Sequence, residues 1–266
     1  MSTPDSAALW TGLGWQPSAE QLSQFVALQE LLRLWNSRLN LTRLVEGDDF
    51  WIAQVYDSLW PLRGVLQAQL GHDGGDQQRG SEPAVIDVGT GGGFPGLAVA
   101  IALPHARLTL VDSVQRKVEA VRAMAAALGL STRVTLCGDR IEKLGQHPRW
   151  RGQFDWALAR AVAPAPVVAE YLVPLLKPSG RALLYRGQWS ADDQQQLELA
   201  CTALQANVET LEACDLPAGR GQRHAITLRP EAPCPRQFPR AVGIPAKQPL
   251  GCSGPGEAAL DPRRRR

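Results

Sequence analysis

Apolar residues recur at three- and four-residue steps early in the chain, which is the spacing of an amphipathic helix. Residues 18–38 carry this pattern at Leu22, Phe25, Val26, Leu28, Leu31, Leu32 and Trp35. Ser18 stands at the start of the pattern, and serine is a favourable N-cap because its hydroxyl accepts a hydrogen bond from a free backbone N–H. The sequence therefore predicts a helix over residues 18–38.

A second helical stretch covers about residues 48–70, with apolar side chains on one face. Pro61 lies inside this stretch and predicts a kink, because proline has no N–H to donate to the preceding turn. Residues 71–82 are polar and rich in glycine, which predicts a loop. We therefore expect an N-terminal helical cap and loop over residues 1–82.

From residue 83 onward, short apolar runs alternate with stretches of helical periodicity. The runs predict strands at 84–88, 107–111, 133–137, 154–159 and 180–185. The intervening stretches predict helices at 95–103, 114–128, 140–145, 164–176 and 190–204. Two later apolar segments, near 207–214 and 223–229, predict final strands, of which the last is a candidate for antiparallel pairing. This alternation favours an α/β fold with a parallel sheet covered on both faces, which we place over residues 83–229.

Prolines and charges dominate from Pro230 to the last residue, and no periodicity survives there. Residues 215–266 hold ten Lys+Arg and four Asp+Glu, a net charge of +6, whereas residues 1–214 hold 18 and 22, a net charge of −4. We expect the basic, proline-rich extension 230–266, which closes with four arginines, to bind RNA phosphates without choosing a base. The alternatives are a solvated tail with no partner and an ordered arm packed on the domain, which the repeated Pro-Arg spacing favours.

The composition excludes several classes of protein. Hydrophobic residues make up 44% of the 266-residue chain, ample for a buried core, but no run of 18 or more apolar residues predicts a membrane span. Residues 1–5 lack the basic start and apolar stretch of a secretory signal. The five cysteines are widely spaced, with neither a C-x-x-C motif nor a nearby histidine pair, so we expect no disulfide framework and no metal site. We expect a cytoplasmic monomer that binds no membrane.

One glycine-rich segment carries a specific chemical signal. Residues 85–96 are Val-Ile-Asp-Val-Gly-Thr-Gly-Gly-Gly-Phe-Pro-Gly, an apolar strand followed by a turn into an apolar helix. Glycine lets the backbone turn with positive φ and lets a ligand approach the main chain closely. Asp87 at the strand end disfavours a pyrophosphate and suits a cationic or donor-rich ligand such as S-adenosylmethionine. Residues 91–96 also fit G-x-G-x-x-G, so a nicotinamide-dependent oxidoreductase is an alternative.

Two further predicted strands are followed by polar residues. Asp112 follows the second strand, 23 residues after Gly89, and a carboxylate about twenty residues after such a turn accepts hydrogen bonds from ribose hydroxyls. Residues 138–142, Gly-Asp-Arg-Ile-Glu, follow the third strand, where a backbone amide can meet an adenine edge. Ligands of open α/β sheets bind beyond the carboxyl ends of the strands, so these groups point to one site. The structural alternative for Asp112 is that it only caps the next helix.

Several short motifs follow one another along the chain. They are LWNSRLNLT at residues 34–42, DSL at 57–59, DVGTGGGFPG at 87–96, VDSVQRK at 111–117, ARA at 159–161, GQ at 187–188 and RH at 223–224. With these motifs in this order, the chain resembles the glucose-inhibited division protein B family, also called the ribosomal RNA small subunit methyltransferase G family. The resemblance runs from about Trp35 to Leu228, most of the chain.

The resemblance implies a class I S-adenosylmethionine-dependent methyltransferase fold, which is Rossmann-like with a mostly parallel seven-stranded sheet. It implies S-adenosylmethionine as the cofactor and N7 of a guanine in 16S ribosomal RNA, free or in the small ribosomal subunit, as the methyl acceptor. Matched positions imply eight cofactor-binding residues: Gly89, Phe94, Asp112, Ser113, Val114, Ile141, Glu142 and Arg160. Gly89 and Phe94 would line the methionine and ribose side, Asp112 to Val114 the ribose and adenine, and Ile141 and Glu142 the adenine. Arg160 would lie between cofactor and substrate.

The implied chemistry explains why no catalytic residue is named. Guanine N7 has a free lone pair and carries no proton, so the transfer needs no general base, no metal and no covalent intermediate. Two positions depart from the family: Tyr56 stands where a histidine is frequent, and Arg186 where a lysine is frequent. Tyr56 lacks a titrating imidazole, and Arg186 keeps the charge with a different hydrogen-bond geometry. A non-catalytic ribosome- or RNA-binding protein on the same fold is a second alternative, against which the intact glycine turn and Asp112 argue.

Overall fold

The computed structural model describes residues 6–70 and 82–251. Seven strands form one sheet: β1 (Ala84–Val88), β2 (Arg107–Val111), β3 (Val134–Cys137), β4 (Phe154–Arg160), β5 (Leu176–Arg186), β6 (Ala206–Asp215) and β7 (Gln222–Pro230). The predicted loop over 71–82 lies outside the described residues, except for Glu82.

The sheet has the strand order β3-β2-β1-β4-β5-β7-β6. Strands β1 to β5 are parallel, and β7 runs antiparallel to both β5 and β6. The predicted parallel sheet with a late antiparallel strand is therefore confirmed. Because the chain moves outward from β1 through β2 to β3 and then returns to β4, the order reverses between β1 and β4.

Eleven α-helical segments occur in the described ranges. They are α1 (Ser6–Thr11), α2 (Ala19–Leu39), α3 (Gly47–Phe50), α4 (Asp57–Leu59), α5 (Arg63–Leu70), α6 (Gly96–Ala102), α7 (Gln115–Ala127), α8 (Ile141–Gln146), α9 (Ala165–Leu172), α10 (Ala191–Leu204) and α11 (Ile244–Lys247). Ser18 caps α2 as predicted, because its side chain accepts from the Gln21 N–H while the Gln21 side chain accepts from the Ser18 N–H. Helix α9 ends earlier than predicted, and a 3₁₀ turn containing Pro174 follows it.

The second predicted helix is broken into short pieces. Between α3 and α4 the chain forms a π-helical turn (Trp51–Tyr56), and between α4 and α5 a 3₁₀ turn (Trp60–Leu62) holds Pro61. The proline accounts for the second break, as predicted. The π-helical turn has no such signal in the sequence, and turns of this kind are frequent at functional sites.

Two hydrophobic clusters pack against the two faces of the sheet. The first joins the N-terminal helices to the sheet, with Phe25 and Phe50 in the same cluster as Leu97 and Leu110. The second lies under α8, α9 and α10. The helical cap is therefore continuous with the core of the sheet domain, so its π-helical turn is fixed relative to the strand ends.

Residues 231–251, named here the C-terminal arm, pack against the domain. Phe238 in the arm is 4% exposed and belongs to the second hydrophobic cluster. The Arg151 guanidinium donates to the carbonyl oxygens of Cys234, Pro235 and Phe238. These contacts match the ordered-arm alternative for this part of the chain. Residues 252–266, including the four terminal arginines, lie outside the described residues.

Candidate functional site

A cavity of about 800 Å³ opens at the carboxyl ends of β1 to β5. It lies where the strand order reverses, which is the usual ligand position in an open α/β sheet. The glycine turn after β1 forms one wall, together with Asp112 after β2; we call the turn (residues 89–94, of which all but the buried Gly93 line the cavity) and Asp112 the glycine wall. Arg160 at the end of β4 and the π-helical turn form the opposite wall, which we call the arginine wall (Ala53, Gln54, Asp57 and Arg160).

The turn of the glycine wall exposes backbone, and at two of its glycines a side chain would not fit. Gly89, Gly91 and Gly93 all have positive φ, at 74°, 56° and 97°. A Cβ built on Gly89 would stand 2.5 Å from Cγ2 of Val162, and one on Gly93 would stand 2.6 Å from Cδ1 of Leu97. Both backbone conformation and space therefore require glycine at these positions.

Asp87 supports the glycine wall from behind. It is completely buried and does not line the cavity, contrary to the expectation that it faces a cationic ligand. Its Oδ2 accepts from the Gly96 N–H at 2.9 Å, which ties the end of β1 to the start of α6. Burial raises the pKa of Asp87 to about 6, against the opposing effect of its hydrogen bonds.

Asp112 does line the cavity, and its carboxylate also organises the backbone around it. Oδ2 accepts from the Gly91 N–H at 3.0 Å, and Oδ1 accepts from the Val114 N–H at 2.8 Å. The second bond closes a local turn just before α7, whose N-cap is Val114 and which has no side-chain cap hydrogen bond, so Asp112 does not cap α7 as the capping interpretation predicts. A carboxylate has about four acceptor positions, so two remain for a ligand.

Six of the eight predicted cofactor-binding residues line the cavity: Gly89, Phe94, Asp112, Ser113, Ile141 and Arg160. Val114 and Glu142 are not on its wall. Val114 is partly exposed beside the wall. Glu142 is 1% exposed, and its carboxylate is directed to Arg140 and to the C-terminal arm. Burial by itself raises the pKa of Glu142, but the hydrogen bonds from Arg140 and Gly243 outweigh it and hold the pKa below its usual value.

Arg160 is held by four acceptors from the π-helical turn and α4. Its Nη1 donates to Asp57 Oδ2 at 3.0 Å and to the carbonyl oxygens of Ala53 and Gln54 at 3.2 and 3.4 Å. Its Nη2 donates to Gln54 Oε1. The guanidinium carbon also lies 5.9 Å from the centre of the Phe94 ring, a cation–π contact that bridges the two walls.

Asp57 links several parts of the arginine wall. It is 6% exposed, pairs with Arg160, and lies 3.9 Å from Nε of Arg223 on β7. The neighbouring Ser58 carbonyl accepts from the Tyr185 hydroxyl at 2.8 Å. The Asp-Ser-Leu motif marked this segment in the sequence, but no sequence signal identified Gln54 or the pairing of Asp57 with Arg160.

The two residues that depart from the family pattern differ in position. Arg186, at the end of β5, lines the cavity and donates from Nη1 to the Ala163 carbonyl at 2.7 Å. Tyr56 is buried in the first hydrophobic cluster and is not on the cavity wall. Among residues 6–70 and 82–251 there is no cluster of three or more His, Cys, Asp or Glu able to hold a metal ion. In the same ranges, no helix is both long and apolar enough to cross a bilayer.

The donor set fits S-adenosylmethionine. Gly89 presents backbone to the cavity without a side chain, which permits close approach of a ligand. The Asp112 carboxylate after β2 has acceptor positions left for ribose hydroxyls. Strand order and site together define a class I methyltransferase. A crystal structure titled as an O-methyltransferase from Bacillus cereus in complex with SAH has the same fold, with a TM-score of 0.53 at 14% identity, covering 77% of this chain and 90% of that one.

Comparison of sequences gives the family. The sequence model described as rRNA small subunit methyltransferase G matches residues 21–226. Two proteins named "Ribosomal RNA small subunit methyltransferase G" are each 61% identical to this chain. That of Synechococcus sp. (strain RCC307) aligns over 92% of this chain and 99% of its own length, and that of Parasynechococcus marenigrum (strain WH8102) over 93% and 97%.

The chain therefore belongs to the rRNA small subunit methyltransferase G family. It is a methyltransferase whose cofactor is S-adenosylmethionine, so the predicted family, fold and cofactor are confirmed, and the oxidoreductase alternative is wrong.

Proposed function

We propose that this protein transfers a methyl group from S-adenosylmethionine to N7 of a guanine in 16S ribosomal RNA. The observation that carries the proposal is the cavity between the glycine wall and the arginine wall, in a chain whose relatives bear the name of a small-subunit ribosomal RNA methyltransferase. The guanine position is what the family resemblance implies.

The glycine wall would hold the cofactor. Gly89 gives it side-chain-free backbone, Asp112 offers acceptors to ribose hydroxyls, and Ile141 provides an apolar surface at the β3 side. When bound, S-adenosylmethionine supplies an electrophilic methyl group on a positively charged sulfur. Because Gly91 and Val114 already donate to Asp112, the carboxylate is oriented before any ligand arrives, which lowers the entropy cost of binding.

The reaction requires no proton transfer from the protein. The N7 lone pair forms the new bond to the methyl carbon as the carbon–sulfur bond breaks, and the bonding electrons stay on sulfur. The protein's contribution is therefore to hold the two reactants in line, for which effective molarities correspond to roughly 7–11 kcal/mol at most.

The arginine wall would position the acceptor base. The Arg160 guanidinium donates hydrogen bonds to Ala53, Gln54 and Asp57, so its position on the cavity wall is fixed. Asp57 offsets the charge of Arg160, which limits repulsion of a base that becomes cationic on methylation. In A-form RNA the deep, narrow major groove shields N7, so the guanine enters unpaired or splayed out.

The remaining features of the proposal follow from the substrate. A ribosomal RNA methyltransferase acts where ribosomal subunits are made, so we place the protein in the cytoplasm. We propose that it acts as a monomer, without a metal ion and without a membrane; guanine N7 already carries a free lone pair, so the transfer needs no metal to activate it.

The test is methylation of small ribosomal subunits from cells that lack the gene. Purified protein and S-adenosylmethionine are added, and mass spectrometry of digested 16S RNA measures 7-methylguanosine. We expect one guanine to gain a methyl group with the wild-type protein and none with a Gly89→Val variant. A wild-type protein that binds the subunit but adds no methyl group would instead support the non-catalytic alternative.

A further inference from the structure

The C-terminal arm reaches the cavity. Ala246 on α11 lies on the cavity wall, as do Asp139, Arg140 and Ile141 after β3. The arm begins after residue 226, where the match to the family's sequence model ends. The arm thus adds Ala246, which is not among the predicted site residues, to the lining beside Ile141.

An ion pair between a half-buried arginine and a buried carboxylate fastens the arm to α9. Glu170 on α9 is completely buried, and Arg240 donates to both of its carboxylate oxygens. The two closest side-chain contacts are Nε to Oε1 at 3.0 Å and Nη2 to Oε2 at 2.7 Å. The Arg240 backbone N–H donates to Oε1 at 2.7 Å as well. A buried carboxylate with a bidentate partner fixes geometry strongly, because removing either partner leaves the other charge unpaired.

Glu142 holds the arm next to the cavity itself. Its Oε1 accepts from the Gly243 N–H at 3.0 Å, three residues before Ala246. The same oxygen accepts from Arg140 Nη2 at 2.7 Å. Because Glu142 follows Ile141, one turn of α8 presents Ile141 to the cavity and Glu142 to the arm.

The backbone of the arm also fits closely against α8. A Cβ on Gly145 would stand 2.6 Å from Cγ of Pro239, so this position needs glycine for the arm to dock. Gln146 Nε2 donates to the Pro239 carbonyl at 2.6 Å. These contacts fix the arm in one position against α8 and α9, and in that position α11 lies beside the cavity.

We propose that the C-terminal arm is part of the cofactor site, where it forms the wall at the β3 side, and that Arg240 and Glu142 are positioning residues that hold it there. The inference rests on the proposed function, because it assigns the arm to the adenine end of that cofactor. The carboxylate after β2 binds ribose in folds of this type, so the base lies on the side of β3, where the arm stands.

Calorimetry with S-adenosylhomocysteine, the unreactive product, tests the proposal on the full chain. We expect Arg240→Ala to raise the dissociation constant about tenfold, because apparent affinity falls with the fraction of molecules whose arm is docked. The matched control is Arg181→Ala, which breaks another bidentate pair, with Glu209 on β6, away from the cavity. The control should bind S-adenosylhomocysteine as wild type does.

Amide hydrogen exchange on the wild-type protein gives a second readout that needs no substitution. Saturating S-adenosylhomocysteine should slow exchange in the arm at residues 243–248. The reference segment is β6, which does not line the cavity and should be unchanged. This measurement decides the question if Arg240→Ala does not fold.

The outcomes separate this inference from the proposed function. Weaker binding by folded Arg240→Ala, or ligand-dependent protection of residues 243–248, supports the arm as a wall of the site. The inference is overturned if Arg240→Ala binds S-adenosylhomocysteine as tightly as wild type does and the ligand gives the arm no protection. The proposed function then still stands, because wild type binds the ligand. If wild type itself does not bind S-adenosylhomocysteine, the proposed function fails, and the inference fails with it.

Discussion

The two walls of the cavity are built in different ways. Apart from the Asp112 carboxylate, the glycine wall comes from one continuous segment after β1, whose shape follows from positive φ at Gly89, Gly91 and Gly93. The arginine wall is made of side chains from distant segments, with Arg160 on β4 paired to Asp57 in the helical cap, 103 residues away in sequence. One wall is local geometry, and the other is a tertiary ion pair.

This difference predicts how each wall responds to change. A substitution in the glycine wall should act first on ligand binding, because it distorts the turn and displaces Val162, both of which line the cavity. A substitution in the arginine wall should act first on stability, because it leaves a buried charge without its partner.

The largest effect should come from filling the glycine wall. Gly89→Val places a side chain against Val162 and strains a backbone at φ 74°, so we expect cofactor binding to be lost while the protein stays folded. Gly129→Val is the control, because Gly129 has φ 73° but open space around it. Both variants should lose about 1–2 kcal/mol of stability to the left-handed backbone, and calorimetry should show loss of binding only at Gly89. Equal affinity in the two variants would contradict the site assignment.

Breaking the arginine wall should cost stability. We expect Asp57→Ala to lower the free energy of unfolding by about 3 kcal/mol, because Arg160 is left charged in a mostly buried position. Asp49→Ala breaks the more exposed pair with Arg220 and should cost less than about 1 kcal/mol. Urea unfolding of both variants measures the difference. Similar losses of unfolding free energy in the two variants would mean that the Asp57–Arg160 pair stabilises the protein no more than a surface ion pair does.

Asp87, which supports the glycine wall, should make the stability of the protein depend on pH. An aspartate in an unfolded chain has a pKa of about 3.9, and burial raises that of Asp87 to about 6 in the folded state. The folded state therefore holds this proton more tightly. The contribution of Asp87 to stability is full below about pH 4 and falls by roughly 3 kcal/mol as the pH rises through 6.

The Asp87→Asn variant isolates this effect, because its amide oxygen still accepts from Gly96 and does not titrate. From pH 4 to 7, the free energy of unfolding of wild type should fall relative to that of the variant. Parallel curves from urea unfolding at each pH would show that the carboxyl is already ionised at low pH.

Asp112 belongs to the glycine wall but contributes a side chain to it. Its substitution should therefore weaken both ligand binding and stability, each to a smaller degree. We expect Asp112→Ala to weaken cofactor binding by about 1–3 kcal/mol, the range for a charge-assisted hydrogen bond. Asp112→Asn keeps one acceptor oxygen and should lie between the alanine variant and wild type. A fall in melting temperature with unchanged affinity would mean that Asp112 only supports the backbone at Gly91 and Val114.

The smallest expected effect is that of pH on the rate. Neither wall needs to accept a proton from guanine N7, so the rate of single-turnover methyl transfer should be nearly constant between about pH 6.5 and 8.5, without the limb that a general base gives. A steep rise with an apparent pKa near 7 would identify a base, or a different acceptor atom.

The glycine wall could be predicted from sequence because each of its parts is a local signal. A short apolar strand, glycines that permit positive φ, and an acid 23 residues later specify it without knowledge of the rest of the chain. The strands and helices of the sheet domain were likewise close to their predicted bounds, since hydrophobic periodicity is also local. The interpretation of Asp87 as a ligand-facing acid was wrong because burial depends on what packs over the strand end.

Other parts of the site depended on contacts between distant segments. Nothing near Gln54 predicts a π-helical turn that directs its carbonyl toward Arg160. The Glu142 carboxylate, predicted beside the adenine, accepts from the Gly243 N–H of the C-terminal arm, which no local sequence signal indicates. The prolines and charges after residue 230 carried no periodicity, so the arm's position on α8 and α9 was not readable from its own sequence.

The sequence by itself determined the sheet domain, the glycine turn and the family, because hydrophobic spacing and backbone conformation are properties of neighbouring residues. The tertiary structure alone decided which charges are buried and which partner each receives. Asp57 with Arg160 and Glu170 with Arg240 are pairs across 103 and 70 residues, and a buried charge is tolerated only where the fold brings its partner to it.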